Sequence, residues 1–332
     1  MKGGKRVDKP LFFCAMSFKV TNGLYKDVKS VVITTDKLQA TFLPGEGGKL
    51  ISLVCLENGK DYLEQRKEST YRHLGPETTY VEASCDSYDD MFPTIDPWEI
   101  PDGPLKGAKY LDHGEVSRIP HLFTKYGDAV YTYTRLSNLP VTFEKKITEN
   151  ERGGLRIDFT ITNLCDTDID YIWAAHFMAV AEEGGRVVTP FKDGGKAEMV
   201  FASDNEKYGS RNDIVTLPYG KDGVTRVDEN KKFVPGEGDA WKYYFCDPLP
   251  EGWIGYHYPS DGRTLKFRFD EKKVPYGGMW LNDGNFHNIS NAAMEIATGT
   301  FDRPDSARER NQYSVLKASG KETWYFEIDI EK

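Results

Sequence analysis

Three side chains have the type and setting to move protons. His113 sits in Asp112-His113-Gly114-Glu115. His176 ends the apolar run Tyr171-Ile172-Trp173-Ala174-Ala175-His176-Phe177. Imidazole titrates near neutrality, at about pH 6.5 when unperturbed, so it can give or take a proton under mild conditions. Glu295 lies in the small, mostly apolar run Asn291-Ala292-Ala293-Met294-Glu295-Ile296-Ala297-Thr298-Gly299. Burial there would raise its pKa and make it a usable base. Each residue also has a plainer reading: His113 as a turn residue, His176 as a satisfied core imidazole, Glu295 as an edge-strand carboxylate facing water. Local sequence leaves both readings open.

Other chemistries find no support. Asp166, Asp168 and Asp170 alternate like the first ligands of a calcium loop, but the glycine and the closing glutamate are missing. The glycines at 45–48 and 194–195 fit neither a phosphate loop nor a dinucleotide fingerprint. There is no GxSxG elbow. The five cysteines, Cys14, Cys55, Cys85, Cys165 and Cys246, are odd in number and never spaced CxxC. That argues against a disulfide scaffold or zinc site, and makes a reducing cytoplasm the expected compartment. The net charge is −9, which suits neither a phosphate backbone nor an anionic membrane. No apolar run approaches a membrane span, and Leu11–Met16 is too short for a signal sequence. Asn288-Ile289-Ser290 matches a glycosylation acceptor, a pattern short enough to arise by chance.

The elements that must carry these residues are strands. The 332 residues include 18 Phe, 19 Tyr, 6 Trp, 31 Gly and 17 Pro, a strand-and-turn composition. Leu155, Ile157, Phe159 and Ile161 alternate with polar residues, as do Leu265, Phe267 and Phe269, and Trp324, Phe326, Ile328 and Ile330. Period-two alternation sends one set into a core. Gly45–Gly48 separates strand-like runs at 38–43 and 49–56, and Asn58-Gly59 reads as a hairpin turn. The best helix signal is 303–311, with Pro304 in its first turn and Asp302 as cap. No βα rhythm appears, so a doubly wound sheet is disfavoured. The proline-rich segment 82–118 and the Gly-, Lys- and Asp-rich segment 184–238 resist strand assignment. The expectation is an all-β chain: one antiparallel sandwich domain over 1–332, its core spanning about 30–330.

The motifs occur in a telling order. Cys85-Asp86-Ser87-Tyr88-Asp89-Asp90-Met91-Phe92-Pro93-Thr94-Ile95-Asp96 comes first, then Asp112-His113-Gly114-Glu115 and Ala175-His176. Pro275-Tyr276-Gly277-Gly278-Met279-Trp280, the Glu295 run and Pro304-Asp305-Ser306 follow. This resembles the aldose 1-epimerase (galactose mutarotase) superfamily, and within it the bacterial mutarotase-like branch, over residues 30–330. The resemblance implies a β-supersandwich with an open sugar-binding face and no cofactor or metal. It implies that His113 holds the region of the ring oxygen and C1, that His176 protonates the ring oxygen, and that Glu295 takes the anomeric hydroxyl proton. It further implies Asp90 among the substrate-binding residues and Trp280 as a stacking wall for a monosaccharide.

The sequence departs from the family at two places. The Asn-Arg pair expected before the first histidine is absent, with Arg72 or Arg118 as substitutes. The aspartate expected before the tryptophan is replaced in Trp241-Lys242-Tyr243-Tyr244-Phe245 by Lys242, with Asp247 nearby. A lysine there would favour an anionic or differently hydroxylated sugar. The expectation is therefore a cofactor-independent mutarotase acting as a monomer or weak homodimer. The alternatives are a non-catalytic carbohydrate-binding or sensing protein on the same fold, or a sugar-phosphate epimerase, which would need clustered arginines.

Overall fold

The computed structural model describes residues 18–75, 78–83, 86–191 and 195–332. Leu11–Met16, Cys14, Cys85 and Gly194 lie outside the described residues. Two antiparallel sheets form the framework, the first of eleven strands and the second of eight. The first sheet begins with four consecutive strands, Lys19–Tyr25, Val28–Thr34, Leu38–Leu43 and Lys49–Cys55. Its spatial order then departs from chain order. Tyr88–Met91 is followed by Ala174–Val180, Ser290–Ala297, Tyr276–Asp283, Ala240–Phe245, Lys196–Ala202 and Ile214–Thr216. The centre of this sheet is thus assembled from segments far apart in the chain. The second sheet runs Arg186–Val188, Trp253–Tyr258, Arg263–Phe269, Lys321–Glu331, Leu155–Asn163, Val141–Glu149, Ala129–Arg135 and Leu122–Tyr126.

The alternation seen in the sequence is what packs the sheets together. Along Leu155–Asn163 every odd-numbered residue is buried and every even-numbered one is half-buried. Phe159 stacks on Trp324 at 5.3 Å and 7°, and meets Trp173 at a tilt of 55° with ring centres 4.8 Å apart. The main core cluster takes side chains from both sheets. A fully buried Phe, Leu or Ile there contributes about 1.5–3 kcal/mol relative to exposure. The fold is therefore the expected antiparallel β-sandwich. No helix among the described residues is long and apolar enough to cross a membrane.

Three local expectations need correction. The segment 82–118 contains the central strand Tyr88–Met91 and a small hairpin, Trp98–Glu99 with Lys109–Tyr110. Tyr88–Met91 is buried on both faces, so it lacks the alternation that marks a half-exposed strand. The segment 184–238 supplies edge strands to both sheets. The helix forms at Pro304–Glu309 with proline in its first turn, but Asp302 does not cap it. The carboxylate of Asp302 is drawn instead to Lys242 and Tyr244.

Candidate functional site

The register of the first sheet assembles the site. Pairing of Ala174 with Ala297 and of Phe177 with Met294 sets His176 opposite Glu295. His176 also pairs with Asp89, Glu295 with Gly278, and Gly278 with Tyr244. One row across five strands therefore reads Asp89, His176, Glu295, Gly278, Tyr244. The next row on the same face reads Met178, Ala293, Trp280, Lys242, Phe201. Alternate residues of these strands, such as Phe177, Met294 and Tyr243, point into the core. A Cβ on Gly278 would come within 2.7 Å of the Tyr244 ring, so glycine opposite Glu295 makes room for that tyrosine.

A cavity of about 340 Å³ lies over this face. Its floor holds His176, Glu295, Lys242, Asp302 and Asp96, with His113 beside them. His176 Nε2 stands 3.9 Å from Glu295 Oε1. Burial holds His176 well below the ordinary imidazole range, reinforced by His113, Lys242 and Lys49. Burial pushes Glu295 above the usual carboxylate range, against the pull of Lys242. Lys242 Nζ lies 2.8 Å from Glu295 Oε2 and 3.0 Å from Asp302 Oδ1. Burial opposes its charge, but Asp302 and Glu295 together hold the ammonium above its ordinary range. The Tyr244 hydroxyl also donates to Asp302. Burial and the neighbouring Asp302 raise the Asp96 carboxyl as well.

The His113 side is built by loops. His113 has φ of +55°, a left-handed conformation that side chains seldom adopt. Its amide donates to the carbonyl of Ile95, and its Nδ1 lies 2.7 Å from Asp112 Oδ1. Its ring stacks on Tyr80 at 3.9 Å and 2°. Tyr80 in turn meets His176 edge-on, with its hydroxyl 3.0 Å from Nδ1. The far wall is aromatic: Trp280 lies 5.9 Å from Phe201 and 5.0 Å from Phe286, ring centre to ring centre.

Five of the residues singled out in the sequence line this cavity: His113, His176, Glu295, Lys242 and Trp280. Asp90 does not, which corrects the expectation that it meets substrate. It pairs with Ala175 and so faces the other side of the sheet from His176. There Lys145 lies 2.8 Å from its Oδ2, while the Tyr88 hydroxyl and Trp173 indole donate to Oδ1. Arg72 is also absent from the lining; its side chain is half exposed and lies 3.4 Å from Glu68. Arg118 is buried beneath the His113 loop, donating to the carbonyls of Asp112, Gly75 and Thr78. Lys242 does not offer an uncompensated charge to an anionic sugar, because two carboxylates already face it.

Sequence reasoning missed Tyr80, Asp96, Asn291 and Asp302, all in the lining. Asn291 could have been found, since it stands two-by-two in phase with Ala293 and Glu295 on one strand. Its Oδ1 is buried with no hydrogen-bond partner among the described residues. Tyr80, Asp96 and Asp302 come from loops and carry no such periodic signal.

No protein-family model matches the sequence. No curated protein matches it either. Solved structures do match. The Slr1438 protein from Synechocystis sp. PCC 6803 superposes with a TM-score of 0.64 at 11% identity, covering 97% of this chain and 99% of its own. A galactose mutarotase-like protein from Clostridium acetobutylicum gives 0.64 at 14% identity, covering 95% and 99%. Another from Lactobacillus casei ATCC 334 gives 0.60 at 14% identity, covering 91% and 100%. At such identities the likeness speaks for the fold: the chain adopts, over nearly its whole length, the β-sandwich of galactose mutarotase-like proteins.

Proposed function

We propose that this protein is a cofactor-independent aldose 1-epimerase that interconverts the α and β anomers of a free sugar. The observation that carries this reading is the facing of His176 Nε2 and Glu295 Oε1, 3.9 Å apart, on the floor of a cavity. Opening a cyclic hemiacetal requires one proton removed at the anomeric hydroxyl and one delivered to the ring oxygen. Both oxygens are bonded to the anomeric carbon. Two proton-carrying groups a few ångströms apart can serve both in one bound pose, each transfer contributing about 10²–10⁴-fold. The carbonyl then rotates about C1–C2, and closure runs the transfers backwards. The cavity volume of about 340 Å³ falls at the small end of ligand sites, in keeping with a monosaccharide. Trp280 supplies a flat face for sugar C–H groups, and His113 borders the same floor.

The test is anomerisation of freshly dissolved α-glucose, α-galactose and several pentoses, followed by polarimetry. The wild-type protein should outpace buffer for at least one sugar. Glu295→Gln should reduce that rate by about 10²–10⁴-fold. A protein that binds a sugar but never exceeds the buffer rate would be the non-catalytic binding protein instead.

A further inference from the structure

The hydrogen bonds behind His176 decide which way its proton points. Tyr80 Oη lies 2.8 Å from Asp89 Oδ2 and 3.0 Å from His176 Nδ1. A phenol has one proton to give. Asp89 is the better acceptor, because a hydrogen bond to a carboxylate is about twice as strong as a neutral one. Lys49 Nζ, 2.8 Å from Asp89 Oδ2 and equally buried, supports the carboxylate charge against the burial that pushes the Asp89 pKa up. With its proton committed to Asp89, the Tyr80 oxygen can only accept from His176. The imidazole proton then sits on Nδ1, and Nε2 turns a bare lone pair toward Glu295 and the cavity.

The opposite end of the pair has a matching asymmetry. Asp302 receives both the Lys242 ammonium and the Tyr244 hydroxyl. Among the described residues, Glu295 Oε2 receives only the Lys242 contact, outside hydrogen-bond geometry. One ammonium beside two buried carboxylates balances one charge, and the better-solvated oxygens belong to Asp302. Among the described residues, the other charged or titratable groups around His176 are His113, with its partner Asp112, Asp96 on the cavity floor, and Lys49 behind Asp89.

We propose that Tyr80 and Asp89 are positioning residues that hold the His176 proton on Nδ1, so that Nε2 accepts the first proton from substrate and Glu295 donates the other. This rests on the epimerase reading and reverses the assignment that the family resemblance implies. In the opening step the anomeric O–H proton passes to Nε2 as the C1=O1 bond forms. The C1–O5 bond breaks and O5 takes the Glu295 proton. The products are an open-chain aldehyde, an imidazolium and a carboxylate, and ring closure restores both groups. The imidazolium is steadied through Tyr80 by Asp89. The low basicity of His176 and raised pKa of Glu295 agree with this resting state.

The test begins with nitrogen NMR of the full chain carrying ¹⁵N-histidine. The His176 signals among those of six histidines are assigned by their loss in His176→Gln. The expected wild-type spectrum has a protonated Nδ1 and a bare Nε2, unchanged between pH 6 and 8. In Asp89→Asn the amide can donate to Tyr80, whose proton then turns to His176. The tautomer should switch to Nε2–H, and kcat should fall by about 10²–10⁴-fold, the value of one positioned transfer. Tyr80→Phe, which keeps the ring stacked on His113, should mix the tautomers and lower kcat while moving KM little. A wild-type His176 carrying its proton on Nε2, or titrating as an imidazolium near pH 6.5, overturns the proposal. The tautomer is read without any turnover, so this failure is separate from failure to find epimerase activity.

Discussion

The two faces of the eleven-stranded sheet are made by neighbouring residues of the same strands, yet they do opposite work. Phe177, Met294, Met279 and Tyr243 pack against the second sheet and are fully buried. His176, Glu295, Trp280 and Lys242, one residue away in each strand, border the cavity. His176 and Glu295 are nearly as inaccessible as the core residues. The difference lies in what surrounds them. Apart from the buried Asp90–Lys145 pair, the inner face meets apolar side chains that fill space, and the other meets titratable partners at hydrogen-bond distance. Burial alone therefore does not distinguish a site from a core. The neighbour across the ladder does.

Substitutions on the two faces should separate cleanly. The largest effect belongs to Glu295→Gln, with anomerisation down by about 10²–10⁴-fold. Because glutamine keeps the shape and Lys242 keeps Asp302, its thermal midpoint should stay within a few degrees of wild type. A collapse of the fold instead would make Glu295 a structural residue and erase the distinction. Phe177→Ala, its counterpart on the inner face, should cost about 3–5 kcal/mol in urea unfolding, as a cavity opens in a packed core. A cost below about 1 kcal/mol would mean that the inner face is not packed as described. Trp280→Ala should have a smaller effect, raising KM by about 3- to 10-fold through a lost stacking face, with kcat nearly unchanged. A fall in kcat with constant KM would move Trp280 from binding to chemistry.

The same contrast explains what could be read from the sequence. The alternation of Leu155–Asn163 and Lys321–Glu331 announced strands, because each has one face in the core. His176 and Glu295 were found singly, as polar residues in apolar runs, but their meeting depends on a ladder between distant segments. Asp90 was misplaced by one residue. Asp89 is the carboxylate on the cavity face, and in a strand a single step exchanges the faces. Local sequence could not settle this, since Tyr88–Met91 is buried throughout. Asp302 resembled a helix cap because proline follows two residues later. Lys242, from another strand, competes successfully for its carboxylate. Tyr80 stands in a short 3₁₀ turn with no periodic signal, and only the closed loop brings it between two histidines.

A second buried histidine sharpens the comparison further. His121 Nε2 meets the carbonyl of Val116 at 3.1 Å, while its Nδ1 is buried without a hydrogen-bond partner among the described residues. Burial, helped by the nearby Lys145, lowers its pKa to about 3. Like His176 it is kept neutral, but among the described residues no titratable partner waits at hydrogen-bond distance to exchange a proton with it. The unfolded chain binds a proton at this residue below about pH 6.5, whereas the folded chain resists doing so until about pH 3. Its contribution to stability is therefore complete above pH 6.5 and is lost progressively as pH falls toward 3. Between pH 6 and 5 this loss amounts to about 1 kcal/mol. Urea unfolding of wild type and His121→Gln at both pH values isolates it, because the variant lacks the titrating group while the carboxylates remain. Equal pH dependence in the two proteins would mean that His121 protonates in place. Anomerisation should be indifferent to this substitution in the folded fraction, whereas any change at His176 should abolish it: the two histidines are alike in burial and differ in whether a proton has somewhere to go.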